Sequence, residues 1–502
     1  MKTIWNFRAT AATAALLTAT GASADVTADQ VWQAFQSNFD AIPELEFGTG
    51  NLSEGGGQVS VMDLDIIYDD GDILLRTHYP YMEFVEQGDG TVRIDMSPDS
   101  TVYFGNSLDP EMDYALLGAT TSGLNMTASG EPDLINFSYE AASYNLTLLE
   151  MMDRGEPGDA DFNLNMRDLS SSYSTSPRGD ITDWTYDFGF GGMDLAFGYD
   201  SGYSMVDVSL QSDGTRMNGS ATLPTDLSVM EEPNFDPYSI DGLAFAANYS
   251  LNRTAMIVQW DDYGDTGMMS GELGAFDFGM AGSTQRISMT MNANDLAIMG
   301  QIVDVPLPVE LSAKTIGFGI ETPLPTMSGA SEVMPFSVDI DLEQVNTGEV
   351  AWSMVDPMGM LPHDPVTLQF GTSGMILMPS AFDIMMGMVE ETGQVTEMNI
   401  EKLNVEAVGA KITGEGAMTF DYSDMESFDG MPRPQGSASL RATGINTLMD
   451  TLQTMGLPIE DELMGARMMM GMFTRATGDD QLETTLEINE AGEVALNGQR
   501  IK

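Results

Sequence analysis

Cysteine is absent from the chain. That excludes disulfides, thiol catalysis and thiolate metal sites. Histidine occurs only as His78 and His363, too few and too far apart for a paired-histidine zinc motif. Cations are scarce as well. Nineteen Lys and Arg stand against 77 Asp and Glu, a formal charge of −58. Such a chain repels polyanions, so no nucleic-acid partner is expected, and anionic lipid is disfavoured. Long apolar runs are missing too. No segment beyond the amino terminus approaches the roughly 20 apolar residues that span a bilayer, so the mature chain is expected to have no transmembrane segment. No serine-hydrolase elbow or S-x-x-K pattern occurs, and Gly55-Gly56-Gly57 has no following helix or lysine to cradle a phosphate.

What is present begins with a three-part leader. Lys2 and Arg8 precede a short apolar stretch, Ala9 to Leu17, and Ala22-Ser23-Ala24 offers small residues at the positions a signal peptidase reads. This predicts a signal peptide over residues 1–24, cleavage after Ala24, and a periplasmic or secreted product. The remaining length suits about two or three domains. Hydrophobic residues make up 42% of the chain, which argues for folded structure. A crowd of prolines and acids at 224–242, with Pro224, Pro233 and Pro237, marks a boundary or a long loop. It divides the chain into a helix-plus-β region over 25–232 and a β-rich region over 233–502.

Hydrophobic periodicity sets the fold class. Val31, Trp32, Phe35 and Phe39 recur at helical spacing behind Thr27 and Gln30, which can form a capping box. Pro43 closes that segment. The period then changes to two. Val92-Ile94-Met96, Ile135-Phe137-Tyr139, Phe162-Leu164-Met166, Trp184-Tyr186-Phe188-Phe190, Val206-Val208-Leu210, Ile287-Met289-Met291 and Phe336-Val338-Ile340-Leu342 each alternate with polar residues, as strands with one apolar face do. Asp70-Gly71, Asp89-Gly90, Asp213-Gly214 and Asp429-Gly430 read as turns between strands. A short helix is expected within 379–392. Helical spacing returns at Ile445-Leu448-Met449-Leu452 and, after Pro458, at Leu463-Met464-Met468-Phe473, and a hairpin closes the chain. The fold class is therefore mainly β, with large antiparallel curved sheets or two β sub-domains, an N-terminal helix and a helical pair near the C-terminus.

No residue recommends itself for catalysis, cofactor binding or metal binding, and no cofactor is expected. Asp63-x-Asp65 and Asp69-Asp70-Gly71-Asp72 lack calcium-loop spacing and read as charged turns. Methionines number 41 and cluster at Met385-Met386-x-Met388 and Met468-Met469-Met470-x-Met472. Thioethers bind Cu(I), but methionine on a helical stripe more commonly fills a core or lines an adaptable surface. Met464, Met468 and Met472 are accordingly taken as a candidate apolar ligand surface. The run from Trp352 to Phe370 brackets Pro362 with Asp356-Pro357 and Asp364-Pro365, which predicts a rigid structural loop with Trp352 locked onto the core. From about residue 300 onward, this W-x-x-x-D-P … L-P-x-D-P run, the apolar strand after it, two Met/Leu-rich helices and a closing hairpin resemble an uncharacterised family of exported alphaproteobacterial proteins, domain of unknown function 2125. The resemblance implies an exported β-rich protein and brings no activity.

Two functional classes follow. One is a non-enzymatic periplasmic binding or envelope-support protein, its partner a lipid-like ligand or an envelope protein. The other is a hydrolase built on scattered carboxylates. An outer-membrane barrel is not expected, because two late helices do not suit one.

Overall fold

The computed structural model describes residues 26–40, 44–131, 134–231, 237–240, 242–303, 308–326, 330–388, 393–456 and 459–502. The expected leader, Pro43, Pro233 and Pro458 lie outside these residues. The protein is mainly β, 66% strand and 11% helical, with extensive antiparallel pairing, a helix near the N-terminus and helices near the C-terminus. The chain divides into two compact units. The first runs to Glu272 and includes 302–304; the second takes 273–301 and the rest to Lys502. The described residues of the proline-rich stretch, 224–231, 237–240 and 242, lie within the first unit.

Helix α1 (Ala28–Asp40) opens the first unit. Its capping box forms as the sequence implies: the Thr27 amide donates to Gln30 Oε1 at 3.0 Å, and the Gln30 amide to Thr27 Oγ1 at 3.3 Å. Glu86 adds a third acceptor, taking the Ala28 amide at 3.1 Å. Val31, Trp32 and Phe35 are buried against Val59, Val61, Leu64, Met82, Phe84, Val92 and Ile94. Trp32, Phe35 and Phe84 lie with ring centroids 5.5–6.0 Å apart. Each such side chain contributes roughly 1.5–3 kcal/mol by leaving water, so this face fixes the helix on its sheet.

The sheet of the first unit is a meander whose strands are interrupted near their middles, and the interruptions line up. Asp63 sits at φ 50° inside the strand Gln58–Asp69, between the register pairs Thr49↔Leu64 and Asn51↔Met62. The next strand, Ile73–Glu86, has Pro80 at that level, between Tyr79 and Tyr81. Ser97-Pro98 separates Val92–Met96 from Asp99–Asn106, and Gly123-Leu124 separates Tyr114–Ser122 from Asn125–Glu131. Asp168 sits at φ 52° within Ala160–Arg178, between Arg167↔Ser143 and Leu169↔Ala141. Gly191 separates Ile181–Phe190 from Gly192–Asp200, and Asp213-Gly214 separates Ser204–Ser212 from Thr215–Pro224. Hydrogen bonds tie these points together, from Gly191 N–H to Arg167 O at 2.8 Å and from Asn252 N–H to Gly214 O at 2.9 Å.

Residues in left-handed conformation and irregular pairs bend a strand. A row of them, passing from strand to strand, divides the first unit's sheet into two arms. Asp213-Gly214, expected as a turn between strands, therefore corrects to a bend. The chain runs on through it, and its halves pair with different strands, Ser204–Ser212 with Thr254–Asp262 and Thr215–Pro224 with Ala244–Leu251. Gly214 is required there by its φ of 125° and by the Phe190 carbonyl, which would stand 2.8 Å from a Cβ.

In the second unit each strand pairs antiparallel with the next, from Ala275–Ser283 through Arg286–Ile302, Val309–Pro323, Glu332–Thr347, Val366–Met378, Gln394–Ala407 and Ala410–Asp421 to Arg433–Thr443. The same bending device recurs: Asp295 at φ 52° stands against Gly274, and Gln344 at φ 52° marks a register shift. Helices α2 (Glu349–Val355) and α3 (Ala381–Met385) sit in connections. Helices α4 (Ile445–Thr454) and α5 (Glu460–Phe473) lie between Arg433–Thr443 and Gln481–Ile488. The closing hairpin runs from Gln481–Ile488 to Val494–Leu496. The expected short helix, helical pair and hairpin are thus all present.

Candidate functional site

The bend gives each arm of the first unit an apolar face. In the arm under α1, register pairs carry a row from Val92 to Ala128, Phe137, Tyr173 and Tyr186. In the other arm a row runs from Ala119 to Leu146, Leu164, Leu195, Leu210 and Met256. Beside it Phe162, Phe197, Val208 and Val258 form a second row. Period-two alternation produces these rows, because every second residue of each strand shares a face.

The two faces meet around a cavity of about 320 Å³. Met82, Met96, Met126, Tyr139, Leu169 and Phe188 line it from the arm under α1. Ile66, Tyr79, Ser100, Thr121, Tyr144 and Met166 line it from the other arm, and Phe35 of α1 contributes to the wall. A second cavity of about 530 Å³ lies farther out on the second arm, walled by Phe104, Leu117, Leu148, Met151, Phe162 and Phe197. Both volumes fall in the range of small-molecule sites, and the mostly apolar walls with a few polar groups match their usual chemistry. Methionine supplies four side chains to the first wall, and its unbranched thioether adapts to an occupant's shape.

The polar groups of the first cavity are hydroxyls. Burial pushes the phenol of Tyr139 up to about 12, with Tyr144 adding a smaller effect, and it raises Tyr79 and Tyr144 in the same direction. These groups are therefore neutral hydrogen-bonding phenols throughout the physiological range. The mouth of the second cavity differs. Asp72, Asn106, Asp113 and Asp153 stand there, where the strands of the outer arm end. Along that edge the turns 69–72, 106–114, 152–161, 199–204 and 261–265 hold fourteen Asp and Glu and one cation, Arg154. Two stacked tyrosine pairs sit on the same edge, Tyr103 with Tyr114 at 5.3 Å and Tyr203 with Tyr263 at 5.7 Å between centroids.

Asp65 and His78 make the best-placed acid–imidazole pair, with Nδ1 3.0 Å from Oδ1. Arg76 already holds the other carboxylate oxygen at 2.6 Å. That guanidinium keeps Asp65 below its ordinary value, against an opposing effect of burial, and His78 lowers it further. Among the described residues no His, Cys, Asp and Glu group of three or more is placed to hold a metal ion. The Asp69–Asp72 segment is a turn whose amides cap its own carboxylates, Gly71 N–H on Asp69 and Ile73 N–H on Asp70.

The residues singled out from the sequence lie in the second unit. Trp352, on α2, is half-buried and stacks on His363, centroids 4.3 Å apart and planes within 7°. Asp356 is buried; its Oδ2 accepts the Leu361 amide at 2.6 Å and lies 3.7 Å from His363 Nε2. Pro357, Pro362, Asp364 and Pro365 are exposed along the loop. The loop is thus organised as expected, but through His363 and Asp356 rather than through a fully buried tryptophan. Met464, Met468 and Met472 form a stripe on α5 with exposures of 71%, 65% and 66%. They line neither of the two apolar cavities of the first unit. Of the strand residues expected from their period, Phe162 lines the second cavity and Met166 and Tyr139 the first, whereas Phe137 is buried in the core under α1. Asp63, Asp168 and Asp295, each followed by leucine, are left-handed inside their strands, but Asp194-Leu195 and Asp341-Leu342 show the same pair in strands without that conformation.

No helix among the described residues is long and apolar enough to cross a membrane. No family model, curated protein or solved structure matches the chain.

Proposed function

We propose that this is an exported, non-enzymatic binding protein that carries a lipid-like molecule in the groove of its first unit. The observation that carries the reading is the 320 Å³ cavity to which both arms and Phe35 contribute. A sheet that merely covered itself would interdigitate there at crystal-like density. Instead Met82, Met96, Met126 and Met166 surround unfilled space, continued outward on the same face by Leu117, Leu148, Phe162 and Phe197 beside the second cavity. The leader pattern at residues 1–24 and the resemblance of the later chain to exported proteins support a periplasmic setting. N-terminal sequencing after export should begin at Asp25, and retention of Met1 in a cytoplasmic product would contradict it. Native mass spectrometry of protein purified from its own host should show a co-purifying lipid-like species. A bare polypeptide that also fails to bind the neutral apolar probe N-phenylnaphthylamine would end the groove reading.

A further inference from the structure

The edge of the outer arm is strongly acidic, its turns carrying fourteen Asp and Glu against Arg154 alone. Asp72, Asp113 and Asp153 stand at the mouth of the 530 Å³ cavity. Arg154, 90% exposed, lies 3.9 Å from Asp153, and Arg76, four residues from Asp72, is engaged by Asp65 at 2.6 Å. The Arg154 main-chain amide donates to Asp113 Oδ1 at 2.7 Å, which orients that carboxylate without cancelling its charge. Tyr114 stacks on Tyr103 and donates its hydroxyl to Glu150 on the opposite face of the same strands, out of phase with Phe104, Leu117 and Leu148. Carboxylates at the end of an apolar wall attract an alkylammonium head, whereas a fatty-acid carboxylate placed there would meet like charge on several sides.

Resting on the groove reading, we propose that the ligand is a long-chain amphiphile with a cationic ammonium head, its chain lying on the apolar wall of the outer arm and its head at Asp72, Asp113 and Asp153. The apolar wall supplies affinity, and the acidic mouth supplies selection of the head group.

The test uses the full mature chain and three amphiphiles with the same alkyl tail, ending in trimethylammonium, phosphocholine or carboxylate. Each displaces bound N-phenylnaphthylamine below its micelle concentration. The ammonium compound should bind at least about tenfold tighter than the carboxylate at low salt, with phosphocholine between. Added NaCl should narrow the gap. Asp72→Asn/Asp113→Asn/Asp153→Asn should narrow it too, while Glu46→Gln/Glu54→Gln/Glu131→Gln, with the same change in net charge, should keep it. Probe displacement with equal or tighter binding of the carboxylate would overturn the head-group assignment alone. So would a gap that shrinks equally in both triple variants. Failure of the probe itself to bind would instead overturn the groove reading on which the proposal rests.

Discussion

Asp168 and Gly191 face each other across the bend of the first unit. Asp168 holds φ 52°, and a Cβ at Gly191 would stand 3.0 Å from the Asp168 Cβ and Oδ2. The contact leaves little room for any side chain on the opposing strand. Gly191→Val should therefore cost about 1–3 kcal/mol in denaturant unfolding, since backbone and side chain must both shift. Gly300, whose Cβ position is open, is the control: Gly300→Ala should stay within about 1 kcal/mol of the parent. Equal effects at the two sites would mean the bend tolerates filling.

The cavity tyrosines make an alkaline prediction. The phenol of Tyr139 is raised to about 12 by burial, above an unfolded value near 10. The stability linked to its neutral form is fully present below about pH 10. It is lost as pH rises from about 10 to about 12, because the unfolded chain ionises first. Tyr79 and Tyr144 shift in the same direction. Tyrosinate absorbance should lag for these phenols and rise together with alkaline unfolding. Their smooth titration in the folded protein near pH 10 would show an open, wetted cavity.

Asp356 and Trp352 test the loop of the second unit. Asp356→Ala would leave the Leu361 amide without its 2.6 Å acceptor and should cost about 1–3 kcal/mol. Trp352→Ala should cost about 1–3 kcal/mol, less than a fully buried aromatic, because the indole is half-buried and stacks on His363. Chemical denaturation of both variants checks this. A Trp352 loss near 5 kcal/mol would restore the fully anchored tryptophan that the sequence suggested.

Charge makes a prediction about salt. With a formal charge of −58, repulsion between carboxylates opposes compaction, and counterions screen it. The melting temperature should rise with NaCl from low ionic strength, and magnesium should act at lower concentration. A melting temperature indifferent to salt would show that the acids are too dispersed to oppose folding.

The fold was legible wherever burial enforces a period. The Val31-Trp32-Phe35 stripe, the Thr27–Gln30 box and the alternation of Phe162-Leu164-Met166 each correspond to a formed element. The bend was not legible, since it depends on which strands lie side by side. Asp213-Gly214 has the composition of a hairpin turn, and only its pairing partners make it a bend. The groove was missed for the same reason. Met82, Met126 and Met166 are distant in sequence and meet only after the strands pair. Met464, Met468 and Met472 share one face of α5 by their helical spacing, but spacing does not say what that face meets, and they are exposed.

Photocrosslinking tests the central claim most directly. A long-chain alkylammonium carrying a diazirine on its tail would be bound to the mature protein, irradiated, and its attachment sites mapped by peptide mass spectrometry. The account predicts labels on the strands carrying Met126, Tyr139, Met166 and Phe162, diminished by the cavity-filling Ser100→Phe variant. Labels confined to α5, at Met464, Met468 and Met472, would contradict it and place the apolar ligand on the second unit instead.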